Sequence, residues 1–218
     1  MGEAATSKVR RFPRGRHEYA REAVAASQRS RLLDAVAEAV AANGYAATTV
    51  ADVVALAAVS RRTFYEQFPD LESCFVAAYE AGMELLLDEI RHAVRARPGT
   101  GWQDRARTSV EAYLEALAAR PAAAWAFSVE AIGSGATALG HRAAVLGRWV
   151  QQWRGLQDRA RREDARVPRT PDDHLLLLVG GIEELVRDCL LARGAEHLPD
   201  LADRIAEIAI ATIGPGER

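Results

Sequence analysis

Residues 44–69 read Gly44-Tyr45-Ala46-Ala47-Thr48-Thr49-Val50-Ala51-Asp52-Val53-Val54-Ala55-Leu56-Ala57-Ala58-Val59-Ser60-Arg61-Arg62-Thr63-Phe64-Tyr65-Glu66-Gln67-Phe68-Pro69. Thr49-Val50-Ala51-Asp52 matches a capping box with Asp in place of the usual Glu, so a helix is expected to start at Val50. The Thr hydroxyl would take one of the backbone N–H groups that a first turn leaves unpaired. This helix runs to about Leu56, and only Ala57-Ala58-Val59 separate it from Ser60, a second good N-cap. Another helix therefore starts at Arg61 and stops before Pro69. Phe64 and Phe68 share an inner face with Val59, which leaves Arg61, Arg62, Thr63 and Tyr65 pointing outward. Two short helices joined by three residues, the second with arginines at its start, have the arrangement that lays a recognition helix in a DNA major groove. Arginine bonds guanine O6 and N7 bidentately, Thr63 can touch a phosphate or a thymine methyl, and the Tyr65 hydroxyl can hold a phosphate. The same residues could equally be the solvated face of a short helix.

Outward from this stretch the pattern stays helical. From about Tyr19, Leu32, Leu33, Val36 and Val40 fall on one face before the helix-ending pair Asn43-Gly44. Residues 1–17 lack apolar periodicity and read as a flexible basic arm. Within the first 27 residues Lys8, Arg10, Arg11, Arg14, Arg16 and Arg21 stand against Glu3, Glu18 and Glu22, a local +3. Downstream, helices are expected over 71–93, 102–119, 121–132 and 136–166. Thr170-Pro171-Asp172-Asp173 caps a further one, and 198–213 forms the last. Gly180-Gly181 would permit close backbone approach. The chain has 218 residues, 49% of them hydrophobic and only 6% aromatic, with 44 alanines, a balance that predicts an all-α fold. With 27 arginines and a single lysine, the alanine excess reads as coding bias more than structural need. Net charge is −2, so any nucleic-acid contact must be local. Cys74 and Cys189 are far apart without metal-binding spacing and are expected to be buried thiols. The longest apolar run, Leu175 to Ile182, falls far short of the roughly 20 residues that span a bilayer. No apolar leader is evident, so a cytoplasmic protein without membrane association is expected.

Over about Gln28 to Tyr79 the sequence resembles the tetracycline-repressor (TetR) family, on the residues 44–54 and 59–69 quoted above. The resemblance implies a homodimeric, ligand-responsive transcription factor, usually a repressor, on a double-stranded DNA operator. It also implies an N-terminal helix-turn-helix DNA-binding domain over 18–70 and a larger helical ligand-binding and dimerisation bundle over 71–218. By resemblance, Thr48, Thr49, Arg61, Arg62, Thr63, Tyr65 and Gln67 fall where members contact DNA. Two positions depart from the pattern. Ala58 stands where members usually have Gly, which would cost of order 1 kcal/mol if the turn needs a positive φ. Leu71 replaces a frequent lysine that faces a phosphate. Residues 28–68 balance Arg29, Arg31, Arg61 and Arg62 against Asp34, Glu38, Asp52 and Glu66, so binding would lean on the basic arm.

In the C-terminal region, apolar stripes fall where the family dimerises. Leu178, Ile182, Leu185, Leu201, Ile205 and Ile208 are the candidate interface, with intrachain core as the alternative. A dimer implies a palindromic operator. Trp125, Phe127, Glu130, His141, Trp149, Trp153 and His174 are the candidate lining of a pocket for an unidentified, largely apolar effector. Arg159, Arg161, Arg162 and Arg166 read as solvated. No HExxH, P-loop or GxSxG motif occurs, so no catalytic residue, metal or cofactor is expected. The competing reading is a helical dimer that binds ligand or protein and has lost DNA binding.

Overall fold

The computed structural model describes residues 15–97, 101–133 and 136–215. Among them the chain is helical without a strand: α1 (Gly15–Asn43), α2 (Val50–Leu56), α3 (Arg61–Gln67), α4 (Leu71–Ala96), α5 (Trp102–Ala118), α6 (Pro121–Ser128), α7 (Ala136–Glu163), α8 (Asp172–Ala192) and α9 (Ala202–Ile213). The expected arm over 1–17 lies outside the described residues except for 15–17, which are helical.

Local chemistry sets the N-terminal elements as the sequence predicts. Gly44, at φ 78°, ends α1. Thr49 Oγ1 accepts from the Asp52 amide at 3.3 Å while Asp52 Oδ2 accepts from the Thr49 amide at 2.8 Å, which completes the capping box of α2. Ser60 Oγ accepts from the Thr63 amide at 3.0 Å and starts α3. Asp70 does the same for α4 through the Ser73 amide, at 2.7 Å. Ala58 is the one non-glycine residue with positive φ among those described, at 51°.

Other boundaries differ, for identifiable reasons. Thr170 does not cap α8: its hydroxyl is buried and donates to the Thr212 carbonyl, while Pro171 takes the N-cap position. Ala195–Leu201 form a 3₁₀ segment that contains Pro199, and α9 begins only at Ala202. α6 stops at Ser128 and gives way to a 3₁₀ turn over Glu130–Gly133. Nothing lies within 4 Å of a Cβ built on Gly180 or Gly181, so neither supports close packing within the chain.

Two cores result. The larger packs α5, α7, α8 and α9 with the second half of α4, around Trp102, Leu114, Leu175, Leu198 and Ile205. The smaller joins Leu32, Val36 and Val40 of α1 to Val53, Phe64, Phe68, Cys74 and Phe75. It also takes in Ala126 of α6 and Ala131 just beyond. Many alanines have a structural use: Ala35, Ala39 and Ala126 are buried where α1 meets α6, and a side chain of one carbon lets the axes come close. Both cysteines are free and buried, and burial pushes the Cys74 thiol up to about 12, which keeps it protonated at neutral pH. No helix among the described residues is long and apolar enough to cross a membrane.

The αL geometry at Ala58 carries a steric cost that glycine lacks. Replacing the exposed Ala58 with Gly is expected to stabilise the protein by about 1 kcal/mol, raising Tm by roughly 2–4 °C. Thermal unfolding of the two proteins checks this, and a lower Tm for Ala58→Gly would contradict it.

Candidate DNA-reading helix and ligand cavity

α3 presents a basic edge to solvent. Arg61 and Arg62 are both exposed. Arg62 Nε sits 2.9 Å from Glu66 Oε1, but the two side chains are 89% and 55% exposed, so the pair is weak and exchangeable. Tyr65 is 56% exposed and its ring stands edge-on to buried Phe64, 5.4 Å between centroids, which orients the hydroxyl outward. The Thr63 hydroxyl is 2.9 Å from Ser60 Oγ, and Gln67 is half-buried at the end of the helix. Thr49 is exposed, with its hydroxyl donating to Asp52 Oδ2 at 2.7 Å.

Thr48 must be removed from this surface. It is 6% exposed, and its hydroxyl donates to the Gly44 carbonyl at 2.8 Å, so it ties down the turn before α2. Two arginines missed by the sequence reading brace the unit. The Arg29 guanidinium lies 4.4 Å over the Phe68 ring, and Arg31 Nη1 is 3.5 Å from the Ala58 carbonyl oxygen. Leu71 is half-buried against the head core, so that side chain is committed to packing.

In the body, α4, α5, α7 and α8 enclose an apolar cavity of about 80 Å³ lined by Leu87, Ile90, Val110, Trp149, Trp153 and Ile182, among others. A second cavity of about 60 Å³, toward the head, is lined by Tyr79, Met83, Leu117 and Phe127. Tyr113, Trp149 and Glu183 line both and form the partition between them. The Tyr113 hydroxyl donates to Glu183 Oε1 at 2.9 Å, and its ring meets Trp149 edge-on at 5.1 Å. Burial pushes the Glu183 carboxyl above its ordinary range, against the opposing effects of the Tyr113 hydrogen bond and of Arg142 and Arg187. Burial likewise raises Tyr113 and Tyr79, each reinforced by the Glu183 charge.

Of the expected lining residues, Trp149, Trp153 and Phe127 are there. Trp125 packs half-buried against the body core without lining either cavity. Glu130 serves the head: its Oε2 accepts from the Tyr45 amide at 3.0 Å. His141 Nδ1 lies 3.8 Å from Glu80 Oε1 at the surface, and His174 is exposed in the first turn of α8. Sequence reasoning missed Tyr113 and Glu183. Glu183 was detectable, because it follows inward-facing Val179 by four residues and precedes Val186 by three, which places it on the inward flank of α8.

An aromatic chain joins the cavity to the head. Phe127 contacts Tyr79 at 5.2 Å and Phe75 at 5.5 Å, and Phe75 contacts Tyr45 at 5.0 Å between ring centroids. Gly82 of α4 allows this, since a Cβ there would stand only 3.3 Å from the Phe127 ring.

A helix-turn-helix head joined to an all-helical body with an interior cavity defines a class of DNA-binding regulators. Residues 32–78 match the N-terminal domain of the bacterial regulatory proteins of the tetR family. The fold agrees over most of the chain. The fatty acid degradation regulator FadR from Bacillus halodurans is 17% identical with a TM-score of 0.75, the match covering 84% of this chain and 94% of that one. FadR from Bacillus subtilis, in complex with stearoyl-CoA, is 16% identical with a TM-score of 0.74, covering 84% and 98%. The regulator tylp from Streptomyces fradiae is 22% identical with a TM-score of 0.64, covering 87% and 88%. No curated protein sequence matches the chain.

The carboxyl of Glu183 gives a pH signature. Its folded pKa is raised, so at low pH both folded and unfolded forms are protonated and nothing is lost. Stability then falls as pH rises from the unfolded value, about 4.3, to the folded one. Glu183→Gln keeps an acceptor for Tyr113 and is expected to raise Tm at pH 7, the gain shrinking as the pH is lowered toward 4. A gain that grows on acidification would contradict the assignment.

Proposed function

We propose that this protein is a homodimeric transcriptional repressor of the cytoplasm, and not an enzyme. It binds a palindromic operator through α3 and leaves it when a largely apolar small molecule enters the body. The observation that carries this reading is the position of Phe127, which packs against the head core and also lines the cavity next to the Glu183 partition. The cavities, at about 80 and 60 Å³, are well below the roughly 300–1,000 Å³ of pockets that hold drug-sized ligands. A ligand of that size must part α4, α5, α7 and α8 to enter, so binding and change of shape are one event. Displacement of Tyr79 and Phe127 passes through Phe75 to Tyr45, beside the cap of α2. Linkage then requires the ligand-bound form to hold DNA less tightly. The stearoyl-CoA bound by the Bacillus subtilis FadR supports a long apolar tail as the occupant of such a body.

The dimer reading extends to further residues. Leu178, Ile182 and Ile205 are 6%, 8% and 1% exposed and belong to the chain's own core, with Leu201 packed against it. Leu178, Ile182 and Ile205 also line one shallow outer groove together with Leu177, 73% exposed, Ile208, 44% exposed, half-buried Leu185 and the bare Gly181. An unpartnered apolar face with a glycine open to close approach suits an isologous contact with a second copy.

Site selection from random duplex DNA at about 150 mM salt is expected to enrich a palindrome with half-sites about 10 bp apart. Arg61→Ala and Arg62→Ala should each cost about 1–3 kcal/mol of operator affinity if bidentate to guanine, and relax preference at that base. No enrichment by the folded protein would instead favour a ligand- or protein-binding dimer that has lost DNA binding. Leu177→Glu with Ile208→Glu should yield monomers in sedimentation, whereas a persisting dimer would place the interface elsewhere.

A further inference from the structure

Outside the first apolar cavity, a groove of about 250 Å³ between α4, α5 and α7 is lined by Arg91, Arg95, Arg105 and Arg159 and by no carboxylate. The groove adjoins the cavity, since Ile90, Ser109, Gln152 and Leu156 line both. Two of the arginines are answered locally: Arg91 by Asp88, and Arg105 by Glu163. Arg95 and Arg159, both exposed, have no acidic partner among the described residues, leaving a surplus of two positive charges at this mouth in a chain whose net charge is −2. Arg159 is exposed, as the sequence predicts, and it also lines this groove.

We infer that this arginine-lined groove is the head-group site for an amphipathic anion whose apolar tail occupies the cavity. The inference rests on the proposed reading of the cavity as the effector site. Cavity and groove differ in chemistry. The cavity carries the Glu183 carboxyl, which repels an anion when ionised. The groove carries guanidinium groups suited to bidentate contact with phosphate or carboxylate oxygens. A ligand with an anionic head therefore enters tail first and stops with its head against Arg95 and Arg159. Apolar burial supplies tail affinity in proportion to its length, and the charge at the mouth selects the head and makes binding salt-sensitive.

The test uses the full chain and three probes with one tail: dodecanoyl-CoA, dodecanoate and dodecanol, titrated against tryptophan fluorescence, to which Trp149 and Trp153 in the cavity wall contribute. The anions are expected to bind more tightly than dodecanol, more so at low salt. Arg95→Glu with Arg159→Glu, at exposed positions where the fold should tolerate them, should weaken anion binding by roughly tenfold or more and leave dodecanol unchanged. Preference for dodecanoyl-CoA over dodecanoate would identify a phosphorylated carrier as the head, and equal affinity would identify anionic charge alone. Dodecanol binding as tightly as the anions, or a double variant indistinguishable from the parent, overturns the head-group site while sparing the cavity. Failure of all three probes to bind overturns both.

Discussion

Phe127 belongs to α6, a helix of eight residues, and its ring sits against Gly82, Phe75 and Tyr79 of α4. On one side of that ring is the core holding α1, α2 and α3 together, and on the other is a cavity wall. α6 has no room to shift without disturbing both, because close-packed interiors do not deform smoothly. The Glu130 carboxylate on the Tyr45 amide adds a polar tie at the same junction. The position of the reading helix is therefore set partly by the body, through residues more than 50 positions further along the chain. This is the property a ligand-controlled DNA-binding protein requires, and it follows from packing alone.

Charge is distributed to the same end. The molecule is close to neutral overall, so neither DNA nor an anionic ligand is drawn to it indiscriminately. α3 presents Arg61 and Arg62 with Glu66 beside them, and the groove between α4, α5 and α7 gathers a second set of arginines. The carboxyl of Glu183 occupies the partition between the cavities, where it accepts a hydrogen bond from Tyr113. A titratable group there costs stability at neutral pH that an apolar residue would not, and costs of this kind are commonly retained where a ligand must be recognised.

The head was legible in the sequence because its signals are local. A capping box, the Ser60 N-cap, Gly44 and Pro69 fix the boundaries within one turn, and the outward face of α3 follows from the helical period. Which of Thr48 and Thr49 faces outward was not legible, because adjacent threonines have the same local chemistry and only the tertiary arrangement shows that Thr48 is the buried one. In the body, the stripe on α8 picks out Leu178 and Ile182, but periodicity does not say what they pack against: both belong to the chain's own core and both also line the outer groove. The cavity was only partly readable, since its walls come from four helices whose relative rotation no single stripe determines. His141, His174 and Glu130 were chosen for chemistry alone, and packing directed them elsewhere.

The central claim is that the head core and the cavity wall share α6. Amide hydrogen exchange on Phe127→Ala, compared with the parent chain, tests it without any ligand. The account predicts faster exchange both in α2, over Val50–Leu56, and in α4 around Gly82, with α9 unchanged. Exchange that quickens only in the body while α2 keeps its protection would contradict it.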